Sequence, residues 1–252
     1  MCKDKIIKLV MSIKRMEKIS SGNADLDEWL QGGYENDIIT TLYGPAGSGK
    51  TNLCLIAASN ISSKGKKVIF IDTEGGFSVE RLKQISNSEE RAENILILRA
   101  TTFKEQCEAF NKLLENLKNI GLIVVDSIAM LYRLELGSAA SAKDEEKIHG
   151  VNRALARQLR ILSEIARKKN IPVLVTNQVY SSFIKEGEQS ESKVHMVGGD
   201  ILKYWSKCLI ELQSVSSGKR KAIMRKHRYM PEKEFSFNII DKGISKTGFR
   251  FF

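Results

Sequence analysis

Short apolar runs alternate with longer stretches of helical periodicity through most of the chain. Residues 38–43 (IITTLY), 68–72 (VIFID), 95–99 (ILILR), 122–126 (LIVVD) and 172–176 (PVLVT) are short, mostly β-branched and nearly free of charge. Runs of that kind form strands buried on both faces. Between them, Leu53, Ile56, Ala57 and Ile61 recur at helical spacing within 52–63, and 79–85 reads as a further helix. Phe103, Cys107, Phe110, Leu114 and Leu117 mark one face of a helix, and Ile148, Val151, Leu155, Leu159, Leu162 and Ala166 mark a long amphipathic one. Alternation of this sort predicts an α/β fold with a mainly parallel sheet flanked by helices.

Towards the C-terminus the pattern changes. Residues 208–212, 221–225 and 235–240 read as strands with turns at 216–218 and near Pro231, close enough to pair antiparallel. Leu26, Trp29 and Leu30 predict a short helix ended by Gln31-Gly32-Gly33, and Ile201, Leu202 and Trp205 predict another. The stretches 137–147 (GSAASAKDEEK) and 181–192 (SSFIKEGEQSES) lack periodicity and predict loops, the first leading into the long helix. Residues 1–18 form a basic N-terminal arm, and 19–252 the folded core.

Composition narrows the class. Apolar residues make up 42% of 252, enough for a sizeable core. No run approaches the roughly 18–20 apolar residues of a membrane span, and the charged N-terminus offers no secretory signal. The cysteines Cys2, Cys54, Cys107 and Cys208 show no C-x-x-C spacing, and three lie in apolar segments. They predict small core residues in a reducing, cytoplasmic setting rather than a zinc site. A net charge of +10 points to an anionic partner.

The chemistry centres on Gly44-Pro45-Ala46-Gly47-Ser48-Gly49-Lys50-Thr51, followed by Asn52. This fits the phosphate-loop pattern G-x-x-x-x-G-K-[ST] and stands between a predicted strand and a predicted helix, as it must. Glycines allow the tight turn that aims backbone N–H groups at phosphates, and the helix start adds its positive dipole end. Lys50 reaches the β and γ phosphates, and the Thr51 hydroxyl holds Mg²⁺. Asp126, at the end of LIVVD, emerges beside the loop to orient the Mg²⁺ shell. Glu74 lies just past the end of a strand, where open α/β sheets bind ligands, and is a candidate base for activating water. Gln178, at another strand end, is placed to contact the γ-phosphate or position water.

A second feature is the run from 219 to 228, with Lys219, Arg220, Lys221, Arg225, Lys226, His227 and Arg228 beside Tyr229. Read along the chain, it is a dense basic cluster without a compensating acid, the footprint of a nucleic-acid or phosphate contact.

Taken in order, these pieces resemble the RecA-like recombinase core in its archaeal and eukaryotic branch. The likeness runs from about residue 19 to the end, through IDTEGGF (71–77), LIVVDS (122–127), VTNQV (175–179) and VGGD (197–200). The stretch ahead of Gly44 is too short for the helix-hairpin-helix domain of full recombinases, and no phenylalanine precedes Gly44 to form their Phe-x-x-Ala assembly plug. Both features look like the short archaeal paralogue of the recombinase RadA.

The resemblance implies a RecA-like P-loop NTPase core that binds ATP with Mg²⁺ and binds DNA, single-stranded or branched. Lys50 and Thr51 would serve phosphate and metal, Glu74 water activation, Asp126 the metal, and Gln178 γ-phosphate sensing. It further implies an accessory role in DNA repair and homologous recombination, with very weak ATPase activity not strongly stimulated by DNA and no strand exchange alone. Assistance to RadA, or control of branched-DNA cleavage by a Holliday-junction resolvase, would follow. Departures from the family are Ser78 in place of an adenine-stacking arginine, and Lys226-His227-Arg228 in place of an aspartate near the neighbouring subunit's nucleotide. Family DNA loops correspond to 132–146 and 179–197, and the second carries the phosphate-repelling Glu186, Glu188 and Glu191. A DNA-stimulated recombinase or motor, a clock-protein-type signalling ATPase and a nucleotide-gated adaptor share this core and stay open at the level of sequence.

Overall fold

In the computed structural model, which describes residues 17–86, 93–113, 118–181, 194–215 and 218–247, one large sheet organises the chain. Its strands are β3 (Ile39–Gly44), β4 (Lys67–Asp72), β5 (Ile95–Arg99), β6 (Ile120–Asp126), β7 (Val173–Ser181), β8 (Val194–Met196), β9 (Cys208–Ser214), β10 (Lys219–Lys226), β11 (Glu234–Ile240) and β12 (Gly243–Lys246). A two-strand ribbon, β1 (Lys18–Ile19) with β2 (Tyr34–Glu35), precedes it, so Lys18 already belongs to folded chain. The order is β12-β11-β10-β9-β3-β7-β6-β4-β5, with β8 paired to β7. From β9 to β5 neighbours run parallel, and from β9 to β12 antiparallel. The predicted mainly parallel sheet with antiparallel C-terminal strands is the one observed.

Parallel strands fed by helical crossovers are covered on both faces, and this explains why β3 and β6 are buried along their whole length. One face packs against α1 (Ala24–Trp29), α2 (Lys50–Ser62) and α3 (Val79–Ser86) in a core that includes Leu53, Ile56, Phe70 and Phe237. The other packs against α4 (Phe103–Leu113), α5 (Met130–Ser141), α6 (Glu145–Lys169) and α7 (Gly199–Trp205), around Phe110, Val125, Leu159 and Leu202. Asn23 caps α1 by accepting from the Leu26 N–H at 3.0 Å, and Asp144 caps α6 by accepting from Lys147 N–H at 2.8 Å. Cys54 and Cys208 are buried and Cys107 half-buried, as small core residues should be.

The expected loop at 137–147 is mostly helix. Residues 137–141 close α5, and α6 begins at Glu145, leaving 142–144 as the turn. The sequence hid this because the end of α5 is solvated: within that helix only Leu131, Tyr132 and Ala139 are buried. Most of the expected loop at 181–192, most of the arm at 1–18 and the end of the helix read through Leu117 lie outside the described residues. Among the described residues no helix is long and apolar enough to cross a membrane.

Candidate functional site

The carboxyl ends of β3, β7, β6 and β4 converge on one place. Register puts Gly44 beside Gln178 and Asp72 beside Asp126. The phosphate loop leaves β3 here, and α2 starts at Lys50 with Gly49 as its cap in left-handed backbone, φ 100°. A side chain at Gly49 would be strained in that conformation. Gly44 has a different reason: a Cβ there would stand 2.1 Å from the Leu212 carbonyl on β9.

Lys50 is buried and donates to the carbonyls of Gly44 at 2.9 Å and Pro45 at 2.8 Å. Burial lowers its pKa from the ordinary lysine value, while Glu74 and Asp126 pull it back up. The Thr51 hydroxyl donates to Asp126 Oδ2 at 2.6 Å, and the Thr176 hydroxyl donates to Oδ1. Burial raises the Asp126 pKa, and those two hydrogen bonds lower it. The Thr73 hydroxyl donates to the Ser127 carbonyl at 2.7 Å and accepts from the Ser127 N–H at 2.8 Å, tying the segment after β4 to the segment after β6. Asp72 accepts from Gly76 N–H at 3.1 Å and Phe77 N–H at 3.2 Å, shaping the turn that carries Glu74. Gln178 Nε2 donates to Glu74 Oε2 at 3.0 Å.

The polar atoms at this site suit a phosphate ligand with a hard cation. Ser48 Oγ and Glu74 Oε1 are buried with no hydrogen-bond partner among the described residues. Space stays open beside the Thr51–Asp126 pair, where a Cβ on Gly76 would lie 3.5 Å from Thr51 Oγ1 and 3.6 Å from Asp126 Oδ2. Among the described residues no group of three or more His, Cys, Asp or Glu side chains gathers to cage a metal. One hydroxyl and one carboxylate beside a phosphate loop match Mg²⁺, which keeps water and phosphate oxygens as its other ligands.

Sequence reasoning missed Thr176, Asp72 and Arg81. Thr176 carried a signal, as a hydroxyl closing an otherwise apolar strand. Asp72 shows in the sequence only as a strand end. Arg81 falls within the predicted helix 79–85, and its guanidinium donates to Asn52 Oδ1 at 2.8 Å, Ile240 O at 2.7 Å, Asp241 O at 3.0 Å and Gly243 O at 3.2 Å. It clamps the turn between β11 and β12 onto the start of α2, where Asn52 also donates to Gly243 O at 3.3 Å. Ser78 accepts from Arg81 N–H at 3.0 Å and caps α3.

The basic run of 219–228 is not one patch. Lys219 and Lys226 bound β10, and seven steps along a strand cover about 23 Å. Because β10 opposes β9, Lys219 and Arg220 lie towards the phosphate-loop end of the sheet and 225–228 towards the end where parallel strands start. The reading of a run without compensating acids does not hold either. Lys221 pairs with Glu234 at 3.0 Å, and Arg225 with Glu211 at 2.7 Å and Glu232 at 2.5 Å. His227 and Arg228 each approach the buried Glu35 at 3.4 Å. The His227 side chain is only 3% exposed and accepts through Nδ1 from Met230 N–H at 3.3 Å. Its pKa is lowered to about 4 by burial, with Lys18, Arg228 and Lys233 adding repulsion. Lys219, Arg220 and Lys226 form no ion pair among the described residues. Lys226 donates to the Lys203 carbonyl at 2.6 Å; burial and the nearby Lys207 both lower its pKa.

The Rad51 family model matches residues 13–247 of this chain. Similar proteins include the DNA repair and recombination protein RadB of Methanococcus maripaludis strain C7, 43% identical over 87% of this chain and 96% of the relative. The protein of that name from Methanobrevibacter smithii is 36% identical over 94% of this chain and 100% of its own. A crystal structure of the RadB recombinase superposes with a TM-score of 0.74 at 36% identity, covering 91% of this chain and all of that one.

Proposed function

The chain belongs to the Rad51 family, and from that premise we propose that it is an ATP- and DNA-binding protein of DNA repair and homologous recombination, resembling archaeal RadB. The observation that carries the nucleotide part is the meeting of Lys50, Thr51, Asp126, Glu74 and Gln178 at the ends of four adjacent strands. The names of the relatives support the repair and recombination part.

Each residue then has a task. The loop N–H groups and Lys50 bind and orient the phosphates. Thr51 and Asp126 would hold Mg²⁺, which when bound offsets phosphate charge. Glu74, with one oxygen committed to Gln178 and the other without a partner among the described residues, holds the attacking water and accepts its proton. Gln178 keeps the carboxylate aimed and meets the phosphate end. Turnover is very weak, DNA does not strongly stimulate it, and the chain performs no strand exchange alone. ATP works as a switch for an accessory to RadA, or for control of a Holliday-junction resolvase on branched DNA.

For DNA, the cations without acidic partners are the ones available to phosphates. Lys226, with Lys203 and Lys207 beside it at the strand-start end, is the best placed of the basic run.

The test is ATP binding and turnover, with and without single-stranded DNA, for the wild type and Lys50→Ala, alongside DNA binding at several salt concentrations. Slow, unstimulated turnover with salt-sensitive DNA binding, and loss of nucleotide binding in Lys50→Ala, is the expected result. Strong stimulation by DNA would make the chain a working recombinase or motor instead. Unchanged ATP affinity in Lys50→Ala would remove the phosphate loop from the argument.

A further inference from the structure

Arg220 stands apart from the other cations of β10. Its Nε donates to the carbonyl of Gly47 at 3.3 Å, within the phosphate loop, and its Nη1 donates to the Gly218 carbonyl. Its Cδ lies 3.7 Å from where a Cβ on Gly49 would stand, so its stem lies along the loop next to Phe237 and Ile239. Lys221 and Arg225 on the same strand are held by carboxylates, whereas Arg220 has only carbonyl acceptors among the described residues. Lys50 shows the same pattern on the same loop, donating to the carbonyls of Gly44 and Pro45.

We propose that Arg220 is a second cation of the nucleotide site, a guanidinium that binds the phosphate chain of a nucleotide seated on the loop of its own chain. This rests on the reading of 44–52 as that nucleotide site. A neutral carbonyl is a weak partner for a guanidinium. A phosphate oxygen offers a charge-assisted and potentially bidentate contact, which is both stronger and more directional. The strand fixes the Arg220 backbone, since Arg220 pairs with Ser214 on one side and Phe237 on the other. The guanidinium therefore needs only a side-chain rotation to exchange the Gly47 carbonyl for phosphate. Such a role removes Arg220 from the DNA contacts and gives the loop positive charge from two directions, Lys50 from within α2 and Arg220 from the antiparallel part of the sheet.

The experiment is a titration of wild type, Arg220→Ala, Arg220→Gln and Arg220→Lys with ATP, ADP, AMP and adenosine, together with DNA binding in the absence of nucleotide. Loss of one charge-assisted contact should weaken ATP and ADP about tenfold or more in Arg220→Ala and Arg220→Gln. Adenosine should change by less than about twofold if the contact is with phosphate alone. Arg220→Lys should recover part of the loss, and DNA affinity should not move. Arg220→Gln keeps a donor for Gly47 without the charge, so it separates phosphate binding from loop support even if the alanine variant folds poorly. Equal loss for all four ligands would assign Arg220 to loop support and overturn the proposal. Unchanged nucleotide affinity would also overturn it, and a fall in DNA affinity alongside would return the residue to DNA. Lys50→Ala serves as the reference. If wild type and Lys50→Ala bind ATP alike, the nucleotide site itself is wrong; if Lys50→Ala fails while the Arg220 variants bind normally, only the second cation is.

Discussion

Gln178 donates to Glu74 across 3.0 Å and so joins the ends of β7 and β4 over the top of β6, the strand that ends in Asp126. The base proposed here can be removed without disturbing the loop proposed to hold phosphate. Glu74→Gln keeps the shape and loses the proton acceptor. Turnover should fall by about 100-fold or more, while ATP affinity stays within about twofold if the loop alone sets binding. Single-turnover hydrolysis beside equilibrium nucleotide titration reads both. A parallel loss of binding would make Glu74 a structural acid.

The Thr51–Asp126 pair predicts a metal effect distinct from a nucleotide effect. Asp126→Asn should raise the Mg²⁺ concentration needed for half-maximal ATP binding by about tenfold. Affinity measured in EDTA should be unaltered. A Mg²⁺ titration at fixed ATP, repeated with chelator, tests this directly.

Two neighbours at the end of β10 should behave oppositely. Lys226→Ala should flatten the salt dependence of DNA binding by about one unit of slope per lost phosphate contact, with melting temperature unchanged. If Arg228 also reaches phosphate, Lys226→Ala with Arg228→Ala should flatten it further. Arg225→Ala leaves the Glu211 carboxylate, 10% exposed, without its cation. That should cost on the order of 2 kcal/mol of stability, seen as a lower urea midpoint.

His227 makes stability depend on pH. The folded protein holds it neutral, with its pKa lowered to about 4 from an ordinary 6.5. Three cations, Lys18, Arg228 and Lys233, outweigh Glu35 around it. Unfolding below about pH 6.5 therefore takes up a proton, so the contribution is complete above that pH and is lost as pH falls towards 4. Its ceiling is about 3 kcal/mol. The drop in melting temperature between pH 7 and pH 5 should be smaller in His227→Asn, whose amide oxygen replaces Nδ1 as acceptor without titrating. Equal drops would mean the ring is hydrated in the native state.

The candidate site was legible because its signals are local. A strand, a glycine loop and a helix follow one another within residues 39–62, Asp126 closes an apolar run, and Glu74 stands just past the end of another. Thr176 and Asp72 were less visible, since their partners lie 50 residues away and four residues on, across a strand or around a turn. The basic run was misread for a clearer physical reason. A strand spreads eight residues from one end of the sheet to the other, and its counter-charges come from distant segments. Glu35 is 193 positions from Arg228 along the chain. Linear charge density cannot reveal a carboxylate brought in by the fold, and helical periodicity cannot reveal a helix such as α5 whose closing turns bury almost nothing.

The grip of Arg81 and Asn52 on the turn between β11 and β12 bears on how the molecule is made. Asn23 adds a third hold, donating to Ile244 O at 2.9 Å. On the ribosome, all three of these donors emerge long before the carbonyls at 240–244 that satisfy them. A nascent chain can complete the glycine loop and its helix early, but the hairpin that braces them arrives much later, Gly243 lying 191 positions after Asn52. Chains released ahead of residue 240 would leave the Arg81 guanidinium without its three carbonyl acceptors and the start of α2 without its brace. The brace on the start of α2 thereby waits for synthesis of the β11–β12 hairpin.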